Sequence, residues 1–502
     1  MSAGNALFKI LGKLSGSEMS TQSAEATEME DMSNIKVVSP LSGQQQVVGG
    51  FDTCPEYAYS ADEDNNHLID SAMSLPMLTD DHSQSHNIVQ NMTYLLGRTY
   101  HPIHHYNERR DYESSMFLFT YRCDFPEIKP YGITTDAGWG CMIRSAQMLL
   151  AQTLRMHYKS RDWRPPLSLA QRRQDPFMIS MLTWFADYPS RKENVYSLHN
   201  MVAAGIQYDK LPREWYGPQS ACYVIRDLVD AHALQQPSGR GFRVHVAQQG
   251  AVYRDTIQTL MTRDNKARLD LETAKKHKEN PQAHPLDLDW EEELIESVGE
   301  LEWDTSLLLL VPLRLGLDSF NENYLEAVAH TFSFPQSVGI LGGRERGARW
   351  FYGASSDGKK VFGLDPHTVQ TAPRRRTAKV NGVASTVVDL TDDYMRSCHT
   401  THPEVFSFLK TDPSIAMGFY CKTQDDLEDL FVRLSDWKEN NPSSPELFSV
   451  ADASPDYAAN VSSAVNDMLG SSLLDDEDDH LVGPDGGGDD NDMSDEDDYV
   501  LL

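Results

Sequence analysis

The chain has 502 residues, 40% hydrophobic and 24% charged, enough for one large domain with extensions or for two to three domains. Its 75 acidic against 44 basic residues give a formal net charge of −31, which argues against a non-specific nucleic-acid binder, because that function needs a basic surface to neutralise phosphates. The longest apolar run, Leu307 to Val311 continued by Pro312 and Leu313, falls far short of the roughly 20 residues of a membrane-spanning helix.

Residues 1–88 are rich in Ser, Gln, Asn, Asp, Glu and Met, and they read as a disordered extension. Leu7-Phe8-Lys9-Ile10-Leu11 is too short and interrupted for a signal peptide, and Ser2 excludes N-myristoylation. Leu7, Leu11 and Leu14 could share one face of a short cationic helix, but a frayed terminus is the plainer reading. Six cysteines spread over the chain, rather than crowded together, point to free thiols in a reducing compartment, hence the cytoplasm.

Order is expected from Tyr94-Leu95-Leu96-Gly97. Ile143, Ala146, Leu150 and Leu154 recur at three- and four-residue spacing and predict a helix from Cys141 to about Tyr158. Leu307 to Leu315 has the length and Leu/Val content of a buried strand. After Gly316, Ser319 with Glu322 reads as a capping box opening a helix. Ser337–Leu341, Arg349–Gly353 and Lys360–Leu364 read as strands, with turns at Gly342-Gly343 and Asp357-Gly358. A helix early and strands late predict an α+β fold. Two charged stretches, near 263–300 and 370–385, read as solvated insertions. The expected organisation is a domain over 89–438 and an acidic, disordered tail over 439–502, which holds no Lys or Arg.

The chemistry starts at Gly138-Trp139-Gly140-Cys141. A Gly-x-Gly turn delivers a cysteine to the first turn of an amphipathic helix. The free amides and partial positive charge there favour a thiolate and could hold an oxyanion. A buried cysteine behind a glycine turn would look the same in isolation. The second element is Leu364-Asp365-Pro366-His367. In an extended segment residues i and i+2 share a face, and Pro366 keeps Asp365 extended. Asp365 and His367 can therefore reach one site, with His367 as base for Cys141 and Asp365 orienting the ring.

Together, Gly138-Trp139-Gly140-Cys141-Met142-Ile143-Arg144 and Leu364-Asp365-Pro366-His367-Thr368 resemble the autophagins, the autophagy-related cysteine proteases of the papain-like clan. Phe119-Thr120-Tyr121-Arg122, Trp215-Tyr216-Gly217-Pro218, Pro312-Leu313-Arg314-Leu315-Gly316 and Asp412-Pro413-Ser414-Ile415-Ala416 extend the resemblance over most of residues 91–437. It implies a papain-like core with a small auxiliary lobe. It also implies a thiol protease that cuts ubiquitin-like autophagy modifiers (GABARAP-type) after a C-terminal glycine and frees them from phosphatidylethanolamine. Cys141, His367 and Asp365 match the family's triad, and Tyr121 its oxyanion-holding tyrosine. Trp215 matches the tryptophan over the substrate groove, and Gly342-Gly343-Arg344-Glu345 a gating loop. Relatives carry a proline where Glu345 stands here. The resemblance implies no cofactor or metal, a monomer, and only transient membrane contact, through the substrate.

The chain's last residues, Asp495-Glu496-Asp497-Asp498-Tyr499-Val500-Leu501-Leu502, resemble the short acidic motif that adds a strand to the same modifiers, with Tyr499 and Leu502 in two pockets. Cys398-His399 with His402 and Cys421 fits no familiar zinc spacing. A second function also fits the sequence: a modifier-binding adaptor with little turnover. The complete set of Cys141, Asp365, His367 and Tyr121 favours the enzyme.

Overall fold

The structure is a computed structural model that describes residues 92–236, 241–264, 302–380, 383–399 and 404–455. In chain order it runs through β1 (Thr93–Leu95), β2 (Arg98–Tyr100), α1 (Tyr106–Ser114), β3 (Tyr121–Cys123), α2 (Cys141–Tyr158), α3 (Leu169–Arg172), α4 (Pro176–Trp184), α5 (Leu198–Gly205), α6 (Pro218–Ala233), β4 (Phe242–Val246), β5 (Ala251–Tyr253) and α7 (Arg254–Met261). It continues with β6 (Ser306–Arg314), α8 (Leu325–Thr331), β7 (Ser337–Gly342), β8 (Arg349–Ser355), β9 (Val361–Leu364), β10 (Val369–Thr371), β11 (Arg375–Val380), β12 (Val383–Val388), α9 (Asp392–Ser397), β13 (Glu404–Phe406), β14 (Ser414–Cys421), α10 (Gln424–Asn440) and β15 (Ser449–Ala451). The expected α+β class holds.

The organising layer is one sheet in the order β13-β9-β8-β7-β14-β6-β4, to which β1 adds against β8 and β2 against β1. Its pairs are antiparallel except β4 with β6. The central strands are covered on both faces. Leu308 and Leu310 of β6 join a core with α2, α4, α5 and α6, while Leu307, Leu309 and Val311 join a second core with α7, α8 and α10. That double burial is why β6 reads as an unbroken Leu/Val run rather than an alternating one. Among the described residues no helix is long and apolar enough to cross a membrane.

Helix α2 starts and ends at the predicted residues, Cys141 and Tyr158. Its first turn is fixed by a buried ion network. Asp136 accepts the Arg122 amide at 2.6 Å and the Arg144 guanidinium at 2.7 Å, and Arg144 reaches Asp187 at 3.0 Å. Asp136, Arg144 and Asp187 are all fully or almost fully buried.

Three expectations need correction. Residues 370–385 are not a solvated loop. β10 pairs in parallel with β3, and β11 and β12 form a hairpin. The charges are satisfied in place, Arg375 by Glu193 at 3.2 Å and Arg376 by Asp389 at 3.1 Å. Ser319 caps nothing; Asn321 caps a single 3-10 turn that leads into α8. Order also continues past residue 438. Leu447 and Phe448 are buried, and β15 pairs in parallel with β5, because two apolar residues find a place in the second core. Residues 1–88, 265–301 and 456–502 lie outside the described residues.

Removing the cation from the buried network leaves two carboxylates uncompensated. Arg144→Met should cost about 3–5 kcal/mol of stability. Urea unfolding measures it, and a loss under about 1 kcal/mol would contradict a structural role for the network.

Candidate active site

Gly140 is the N-cap of α2 and Cys141 its first residue. A Cβ on residue 140 would lie 2.4 Å from Asp136 Oδ2, so only glycine fits between the buried carboxylate and the helix start. Cys141 is completely buried, at a helix end whose first amides have no partners within the helix.

Asp365 and His367 follow β9. Asp365 Oδ1 accepts the His367 backbone amide at 2.9 Å and also pairs with the ring's Nδ1. Its other oxygen meets the Arg349 guanidinium at 2.7 Å. The Asp-Pro-His segment therefore behaves as its spacing predicted. Burial works against a charged imidazole, but the bonds and charges of Asp365 and Cys141 prevail and push His367 up to about 9. Burial likewise opposes ionisation of Asp365, yet His367 and Arg349 hold its carboxyl down at about 2. Cys141 is thus a neighbour of the ring, and Cys141, His367 and Asp365 stand together.

Tyr121 completes the cluster. Its ring stands edge-on to His367, with centroids 5.4 Å apart. Its amide donates to the Pro366 carbonyl at 2.9 Å, and Tyr121 pairs with Val369 across β3 and β10. Burial, followed by the nearby Cys141, pushes the phenol far above its ordinary range, so it keeps its proton. The hydroxyl is buried and finds no well-formed hydrogen bond. The phenol therefore lies beside Cys141 as a protonated donor.

The loop between β7 and β8 covers this centre. Gly342 ends β7, and Gly343 has φ +125°, where a Cβ would lie 2.4 Å from the Gly347 carbonyl. Gly347 donates to the Arg344 carbonyl at 2.8 Å, while Arg344, Glu345 and Arg346 are exposed at the tip. Arg346 presents its carbonyl to His367 Nε2 at 2.9 Å. Glu345 is exposed, and the loop reaches the ring through Arg346. Trp215, half-buried, and Gly343 line a common cleft of about 890 Å³ with Pro312, Leu313, Gln249 and Asp412.

The fold thus gathers Cys141, His367, Asp365 and Tyr121, and sets Trp215 and the Gly343 loop on one cleft. Tyr499 and Leu502 lie outside the described residues. Cys398 and Cys421 fall into separate cores, and His402 lies outside the described residues. Sequence reasoning overlooked Asp136, Arg144 and Arg349. For Asp136 and Arg144 a signal existed, since an aspartate and an arginine flank the cysteine where the surrounding residues are apolar or small.

The peptidase C54 catalytic domain matches residues 106–433. The chain belongs to the peptidase C54 family. Cysteine protease ATG4B of Xenopus laevis is 31% identical over 73% of this chain and 85% of that protein. Cysteine protease ATG4B of Gallus gallus is 33% identical over 67% of this chain and 78% of that protein. Cysteine protease ATG4a of Arabidopsis thaliana is 31% identical over 67% of this chain and 63% of that protein. The resemblance to the autophagins is therefore met. As a C54 member the chain is a cysteine peptidase with a papain-like α+β domain.

The pH behaviour of this peptidase follows from the shifts. His367 ordinarily titrates at 6.5 and here at about 9, so its interactions stabilise the fold fully below pH 6.5 and are lost as pH rises through about 9. Asp365, ordinarily at 3.8 and here at about 2, contributes fully above pH 3.8 and loses its contribution as pH falls through about 2. The stability gap between the native protein and His367→Gln should therefore shrink steadily from pH 6.5 to 9. Chemical unfolding across that range measures it, and a constant gap would contradict the shift.

Proposed function

We propose that this peptidase cleaves ubiquitin-like autophagy modifiers of the GABARAP type after their C-terminal glycine, both in the free precursor and in the conjugate with phosphatidylethanolamine. The observation that carries the reading is the His367 ring, bonded to Asp365 on one side and neighbouring the Cys141 sulfur on the other. The Cys141 thiolate attacks the glycine carbonyl, and the resulting oxyanion is met by the Cys141 amide and the Tyr121 hydroxyl. The His367 imidazolium gives its proton to the departing amine, which is a peptide α-amine or the ethanolamine nitrogen of the lipid. A thioester remains. Water, deprotonated by His367, attacks it, and the thiolate and a free glycine carboxylate are restored.

Selectivity for glycine follows from the cover on the nucleophile. Cys141 has no solvent exposure, and the cleft lined by Gly343 and Trp215 is the entry we assign to the acyl group. A glycine strand passes the narrowest gap, and a side chain would clash there. The proposed domain plan is a protease domain that begins near residue 89 and extends through β15, preceded by an extension and followed by the acidic tail. A tail ending in Tyr499 and Leu502 would hold a folded modifier near the cleft and raise its local concentration. The reading places the protein in the cytoplasm as a monomer that meets membranes through its lipidated substrate.

The main experiment mixes the native protein with a modifier precursor and, separately, with lipidated modifier on vesicles. Trimming and release are expected from the native chain. Neither is expected from Cys141→Ala, which should still bind. Retained binding without trimming by the native chain would favour the adaptor. Deletion of Tyr499 to Leu502 should slow processing of the folded modifier and leave hydrolysis of a small glycyl ester unchanged. Equal loss on both substrates would remove the docking role.

A further inference from the structure

Arg349 opens β8 and pairs with Gly342, the last residue of β7, so it stands at the foot of the loop that covers the nucleophile. Its side chain grips two things at once. One guanidinium nitrogen lies 2.7 Å from Asp365 Oδ2, and the other donates to the Gly347 carbonyl at 2.9 Å. The guanidinium lies over the Phe406 ring at 4.4 Å, a third contact that holds its plane. Next to Gly347, Arg346 bonds its carbonyl to His367 Nε2 at 2.9 Å, and His367 returns to Asp365. The contacts close a ring: Asp365, Arg349, Gly347, Arg346, His367, Asp365.

We propose that Arg349 is a positioning residue that couples the loop over the nucleophile to the triad, holding Asp365 in its ring-orienting pose while fixing the loop in its closed position. The inference rests on the triad reading given above. A planar fork suits this task because it meets a carboxylate and a carbonyl in fixed directions, which an ammonium cannot do. Its charge matters too. Glu404 of β13 stands opposite Gly363 and interacts with Asp365, so Arg349 is the cation between two carboxyl groups.

The groups facing His367 are Asp365 from its own segment, Cys141 from α2, Tyr121 from β3, Arg349 from β8 and Glu404 from β13. Loss of the Arg349 charge makes the imidazolium easier to keep, because a like charge has gone. Loss of the fork frees the loop through Gly347 and lets Asp365 turn toward Glu404. The charge and the fork can therefore be separated by experiment.

The test uses the full-length protein and its Arg349→Met and Arg349→Lys variants, checked for folding by thermal unfolding. Cleavage of a modifier precursor is followed from pH 6 to 10, and alkylation of Cys141 in resting protein is followed with iodoacetamide, with Cys141→Ala subtracting the other thiols. Arg349→Met should lower kcat about tenfold more than it changes KM. It should move the alkaline limb of kcat/KM up by about one pH unit and speed alkylation several-fold. Arg349→Lys should return the limb to its native position but keep the faster alkylation. An Arg349→Met protein with native limb and native alkylation rate overturns the proposal, whatever its activity. So does an Arg349→Lys protein with native alkylation. If Arg349→Met does not fold, the lysine variant decides by alkylation alone. Absence of cleavage by the native protein defeats the triad reading instead, and the alkylation arm still reads the coupling to the loop.

Discussion

Everything at this site depends on the carboxylate of Asp136, a charge placed where no water reaches it. It accepts the amide of Arg122 beside Tyr121, takes the guanidinium of Arg144 from the first turn of α2, and presses against Gly140. One group thereby fixes the strand that carries the phenol relative to the helix that carries the sulfur. Burying an ion pair in this way costs desolvation that well-packed apolar residues would not incur, so stability alone is a poor reason for it. Direction is a better one. A guanidinium fork and a carboxylate fix angles as well as distance, and apolar packing at the start of a helix leaves the angle loose. The imidazole is tied to the same frame through β3, whose Tyr121 amide holds the Pro366 carbonyl at 2.9 Å.

The closed cover has two physical effects. It excludes water from Cys141, which strengthens each electrostatic contact around the sulfur. It also takes up the second ring nitrogen, because the Arg346 carbonyl bonds His367 Nε2. The cleft of about 890 Å³ is lined by Gly343 of that loop and by Trp215.

The parts of the fold that were legible from sequence are those where one local signal dominates. The three- and four-residue spacing gave α2 to the residue, and the Leu/Val run of β6 could bury itself only in a sheet covered twice. Asp365 and His367 were legible because the intervening proline leaves the backbone few choices. The hairpin of β11 and β12 was missed although Asn381-Gly382, a strong hairpin dipeptide, sits between strands of Val and Thr. The arginines beside it drew the eye to charge, and their carboxylate partners lie far away in sequence. Arg349 was hidden for the same reason. As the first residue of a strand it carries no pattern, and its role comes from a carbonyl two residues before it and a carboxylate that folding brings near. The segment through β15 was lost to the acidic composition around it, although Leu447 and Phe448 were the apolar pair that anchors it.

The charge count inside the closed centre explains why the arrangement can persist. Asp365 faces Arg349 on one oxygen and His367 on the other, so a carboxylate held near 2 is matched by two cations. That leaves one positive charge in excess, and the nearest candidates to offset it are the Cys141 sulfur and Glu404. Glu404 interacts with both Asp365 and Arg349 from the exposed start of β13, where solvent screens its share. Cys141 is a further neighbour of the ring. A buried site screens such charges weakly, so Arg349 and His367 both bear on the state of Asp365.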